Sequence, residues 1–66
     1  MDNRIKFTQD DIGCRALVKD DKYNNYPEYR VDIIDVSNDG LRVTLKYANG
    51  KVVEMENKGW YIIHQT

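Results

Sequence analysis

Apolar residues recur with a period of two along most of this chain, in short runs bounded by Asn, Asp and Gly. That spacing puts alternate side chains on opposite faces of an extended backbone, so it predicts an all-β chain of short strands. Helix is confined to about one turn, where Thr8-Gln9-Asp10-Asp11 sets a hydroxyl three residues ahead of an acid in a short capping box. Ile5 and Phe7 flank Lys6 just before it. From Cys14 to Lys19 the pattern predicts a strand with Cys14, Ala16 and Val18 inward and Arg15, Leu17 and Lys19 outward. Asp20 to Glu28 is the longest irregular stretch, with Asn24-Asn25 and Pro27 as turn formers.

Between Tyr29 and Val36 the period slips. Tyr29, Val31 and Ile33 share one face, but Ile34 and Val36 share the other, as expected of a β-bulge or sharp bend that lets one strand serve two parts of a small barrel. Ser37-Asn38-Asp39-Gly40 is a turn, and Leu41 to Tyr47 is the cleanest alternating strand, with Val43 and Leu45 inward and Arg42, Thr44 and Lys46 exposed. Parity fixes the next loop. Two residues would set Leu45 against Glu54, whereas three, Ala48 to Gly50, set Leu45 opposite Val53 and Val43 opposite Met55, with Thr44 facing Glu54 and Arg42 facing Glu56. That loop needs a left-handed third residue, which Gly50 provides. Asn57-Lys58-Gly59 ends the strand, and Trp60 to His64 closes the sheet. The elements together predict one small five-stranded, strongly bent antiparallel barrel. Residues 1–66 form a single domain, with an N-terminal segment over 1–11 and a barrel core over 12–64.

At 66 residues only about 60% of the unfolded surface can be buried, which allows a thin core and no deep cavity for a large cofactor. No cofactor and no enzymatic activity are expected. Ten basic and eleven acidic residues leave a net charge of −1, without the basic excess of a general phosphate-tracking protein. One cysteine forms no internal disulfide, and Cys14 with His64 falls short of a four-ligand zinc site. Apolar runs are far shorter than the roughly 20 residues of a membrane span, and the N-terminus lacks a secretory apolar stretch, so a cytoplasmic protein without membrane contact is expected.

The layout resembles the small Src-homology-3-like barrels, and within them the Tudor kind. Ile12-Gly13 leads into Arg15-Ala16-Leu17-Val18, a variable loop ends at Tyr29, and a bent Val31 to Val36 strand follows. Two tight hairpins and a break before Trp60 to Ile63 complete the likeness. The resemblance implies a cage of aromatic rings for methylated lysine or arginine, held by cation–π attraction, with Tyr29 and Tyr47 at two of its positions. Lys19 and Ala48 stand where further rings are common, which leaves the cage half built. By analogy, stand-alone barrels of this size point to an accessory protein of a bacterium or phage.

Five tyrosines are the most distinctive chemistry in the chain. Tyr23, Tyr26 and Tyr29 lie in or beside the long loop, and Tyr47 ends a strand that opens at the same rim, so they predict an aromatic binding patch. Covering the open end of a barrel too small to close with aliphatic residues is the structural alternative. Trp60 is expected in the core, Cys14 as a small buried hydrophobe, and Asp10-Asp11 and Asp20-Asp21 as caps and solvated loop charges. Arg30, Arg42 and Lys46 line one outer surface, but Asp32, Asp35, Glu54 and Glu56 lie beside them. The reading is therefore a non-enzymatic adaptor that engages a protein or peptide through Tyr23, Tyr26, Tyr29 and Tyr47, with Lys19 and Arg30 favouring an acidic or phosphorylated partner. Stacking of single-stranded nucleic acid on the same rim is the first alternative, and methyl-lysine or methyl-arginine reading the second.

Overall fold

The computed structural model describes residues 4–19 and 27–66. A single 3-10 turn at Gln9–Asp11 precedes five strands: β1 Arg15–Lys19, β2 Tyr29–Val36, β3 Arg42–Tyr47, β4 Val52–Glu56 and β5 Tyr61–Gln65. All neighbouring strands are antiparallel, in the order β4-β3-β2-β1-β5. The expected barrel does not close. β4 and β5 are the two edges of an open sheet, because the first residue of the closing run is already engaged elsewhere. Trp60 exchanges both backbone hydrogen bonds with Ile5, each 2.9 Å, so the N-terminal segment rather than β4 runs beside it.

The β3–β4 hairpin follows the parity argument residue for residue. Arg42 lies opposite Glu56, Val43 opposite Met55, Thr44 opposite Glu54 and Leu45 opposite Val53. Tyr47 O accepts the Gly50 N–H at 2.9 Å, and Gly50 has φ of 91°, the left-handed conformation the three-residue loop demands. Thr44, expected to be exposed, is half-buried.

In β2 the register skips one residue between Ile33, opposite Leu45, and Asp35, opposite Thr44. Ile34 is the extra residue. It does not share a buried face with Val36 as the alternation suggested: Ile34 is 45% exposed, and the bulge returns Val36 to the same core as Val31 and Ile33. A second bulge in β5 sits between His64, opposite Leu17, and Ile62, opposite Val18, and turns Ile63 outward. These two irregularities bend the sheet around one core of Phe7, Ala16, Val18, Val31, Ile33, Val36, Val43, Leu45 and Trp60. Cys14, Tyr29, Tyr47, Met55 and Ile62 pack against it half-buried.

Phe7 brings the N-terminal segment into that core, stacked on Trp60 with ring centroids 5.0 Å apart. Asn57 holds it there. Its buried amide donates to Phe7 O at 2.8 Å and to Gly40 O at 2.9 Å, and its Oδ1 accepts the Phe7 N–H at 3.3 Å. One side chain thus supplies the hydrogen bonds that a neighbouring strand would otherwise give to residue 7. Close approach of the segment also explains Gly59, where a Cβ would come within 3.1 Å of the Arg4 Cβ.

Two polar devices fix the local turns. The Asp11 carboxylate accepts the Thr8 N–H at 2.7 Å, the reciprocal half of the expected capping box. At the β2–β3 turn, Asp39 accepts the Ser37 hydroxyl at 2.6 Å and the Leu41 N–H at 3.0 Å. These bonds, the Ser37 hydroxyl first, lower the Asp39 pKa below its ordinary value.

Candidate binding site

The β2–β3 register brings two of the expected site tyrosines together. Val31 lies opposite Tyr47, so Tyr29 and Tyr47 occupy the same face at adjacent strand ends, and their rings meet edge to face with centroids 5.9 Å apart. Both rings pack half-buried against the core. With Glu28, Arg30, Ala48 and Asn49 they line an open hollow of about 660 Å³. Arg30 contributes a cation to its lip.

A second hollow of about 420 Å³ lies on the outward face, lined by Arg15, Arg30, Asp32, Lys46 and the Tyr47–Gly50 hairpin tip. Arg30, Tyr47, Ala48 and Asn49 line both, so the two form one continuous groove around the end of the β3–β4 hairpin. Its electrostatics follow from the ladder. Asp32 lies opposite Arg15 on one side and Lys46 on the other, and it pairs with Arg15 at 2.9 Å. Arg30 and Lys46 form no ion pair among the described residues. Farther along the outer face, Arg42 reaches Glu54 diagonally at 3.6 Å rather than Glu56 directly opposite.

Lys19 is not part of this groove. It lies opposite Tyr61 on β5, where the Arg4 guanidinium sits 5.5 Å over the Tyr61 ring. Tyr23 and Tyr26 lie outside the described residues. Cys14 packs toward the core, whereas His64 lies opposite outward-facing Leu17, which puts the two on opposite faces of the sheet. Among the described residues, no helix is long and apolar enough to cross a membrane.

Arg15 and Asn49 were not among the residues the sequence singled out, and Lys46 was placed there only on an outer surface with Arg30 and Arg42. Arg15 and Lys46 carry a legible signal, since both occupy outward positions of strands flanking β2. Only the register reveals that they converge on Asp32. Asn49 joins the groove because the hairpin tip follows Tyr47 without an intervening residue other than Ala48.

Compared with protein-family models, curated proteins and solved structures, the chain finds no match.

Proposed function

We propose that this protein is a non-catalytic binding module, similar to the Src-homology-3-like and Tudor-like domains, that takes a segment of a partner protein in the groove beside Tyr29 and Tyr47. The observation that carries this reading is the continuity of an aromatic hollow with a cationic one across shared residues Arg30 and Tyr47. Half-buried tyrosines make good anchors, since packing already restrains them and ordering them on binding costs little entropy. The bulged β2 and the three-residue hairpin support the structural likeness, because they bend the sheet and set the two rings side by side. A methylated cation is the poorer guest. Among the described residues only two rings meet there, and Arg30 at the lip repels it.

The test is a peptide array probed with labelled protein, comparing the natural chain with Tyr47→Ala, Tyr26→Ala and the surface control Glu56→Ala. Spots lost in the tyrosine variants and retained in the control, at unchanged far-UV circular dichroism, support the reading. Equal binding by all four proteins returns the tyrosines to core cover. If the bound species is instead a single-stranded nucleic acid, its affinity falls steeply and log-linearly with salt.

A further inference from the structure

The aromatic half of the groove implies a contact surface; the cationic half implies a chemical class of ligand. Arg30 and Lys46 are exposed neighbours on β2 and β3, line the same hollow, and have no acidic partner among the described residues. Asp32, the one carboxylate in that hollow among the described residues, is engaged by Arg15. Among the described residues that line this hollow, three cations against one acid leave a local surplus that matches a phosphoryl group, which carries about −1.5 to −2 charge at neutral pH, better than a single carboxylate. Arg30 also belongs to the hollow of Tyr29 and Tyr47, so the aromatic surface and the cations are adjacent.

We infer that the groove binds a phosphotyrosyl residue of the partner segment. Its ring lies against Tyr29 and Tyr47, and its phosphoryl oxygens accept hydrogen bonds from Arg30 and Lys46. This rests on the proposed peptide-binding reading and specifies its ligand. An aryl phosphate carries ring and dianion on one rigid side chain, and the two hollows that would take them share Arg30 and Tyr47. A nucleic-acid strand fits less well. Glu28 lines the aromatic side, and Glu54 and Glu56 occupy β4 beyond Lys46, so the cations serve one dianion and not a succession of phosphates.

The experiment is a titration followed by amide NMR shifts, using an acetylated, amidated hexapeptide of Gly, Ala and Ser with one central phosphotyrosine. Its comparators are the unphosphorylated twin, a phosphoserine twin and a ten-residue oligothymidylate. The expected result is phosphotyrosine binding about tenfold tighter than either twin, with shifts at Arg30, Lys46 and Tyr47. Arg30→Gln with Lys46→Gln abolishes that preference, whereas Arg42→Gln retains it. All three are exposed positions, and each variant's spectrum reports whether it is folded. Equal binding of the phosphorylated and unphosphorylated peptides overturns the inference while leaving the peptide groove intact, provided Tyr47→Ala weakens both. A preference that survives loss of both cations, tighter binding of the oligothymidylate, or no binding by any peptide also overturns it.

Discussion

Truncating Asn57 to Ala tests the least expected part of the architecture. Its side chain makes three hydrogen bonds, at 2.8, 2.9 and 3.3 Å, to Phe7 O, Gly40 O and the Phe7 N–H. Neutral hydrogen bonds are worth about 1 kcal/mol each net, and a buried group left unpaired costs about 1–3 kcal/mol. The longest of the three is weak, and Gly40 is only half-buried and regains water. The segment also has a local escape. It can undock and hydrate its backbone, at the cost of exposing Phe7, worth about 3 kcal/mol at most. The expected destabilisation is therefore about 2–4 kcal/mol. At about 0.05–0.15 kcal/mol per residue, a chain of this length has about 3–10 kcal/mol in total, so the variant should melt about 10 °C or more below the natural protein. Trp60, the single tryptophan, is stacked on Phe7, so its fluorescence in a urea titration reads the site directly, with far-UV circular dichroism as the global probe. Asn57→Asp sharpens the test. Its carboxylate faces two carbonyl oxygens in a buried site, so its folded-state pKa rises above the unfolded value, and the deficit should shrink as pH falls through that raised pKa. A loss below about 0.5 kcal/mol for Asn57→Ala, or a pH-independent deficit for Asn57→Asp, would refute the reasoning.

Gly50→Val should cost about 1 kcal/mol or more. Nothing lies within 4 Å of the added Cβ, so the loss measures the φ of 91° alone, and an unchanged melting curve would remove that account. Leu45→Ala should cost about 2–5 kcal/mol and come close to unfolding the domain, since Leu45 is fully buried. Half-buried Thr44→Ala should cost far less, and equal effects of the two in chemical denaturation would contradict the facing of β3. Asp39, whose pKa is lowered by the Ser37 hydroxyl and the Leu41 N–H, stabilises the fold above its unfolded value near 3.8 and loses that contribution as pH falls through the lower folded value. Asp39→Asn should therefore flatten the acid limb of the stability curve below about pH 4, and an identical limb would contradict it.

The elements legible in the sequence are those whose information is local. The β3–β4 register followed from counting residues across one hairpin, because a one-residue slip would have put Glu54 opposite Leu45. The pairing of Tyr29 with Tyr47 followed because each ends a strand of the same antiparallel pair. The slip in β2 was visible as well, although alternation alone could not say that Ile34 would be the residue expelled, since that depends on which register Leu45 and Thr44 adopt on the facing strand. Barrel closure was not legible. It depends on whether two edges meet, and the edge at Trp60 is occupied by Ile5, far away in the chain.

Asn57 and the cationic hollow were hidden for two different reasons. An Asn before Lys-Gly reads as a turn residue, and nothing near it in sequence betrays that its amide serves the backbone of Phe7, fifty residues away. The hollow was hidden by averaging. A net charge of −1 describes the whole surface, but the sheet separates its charges, sending Glu54 and Glu56 to an edge strand while the register gathers Arg15, Arg30 and Lys46 around Asp32. Lys19, the last residue of β1, lies instead opposite Tyr61 on β5. Charge as a ligand meets it is therefore a property of strand order: a near-neutral chain carries a locally cationic groove once β1, β2 and β3 lie side by side, and the same composition in another order would not.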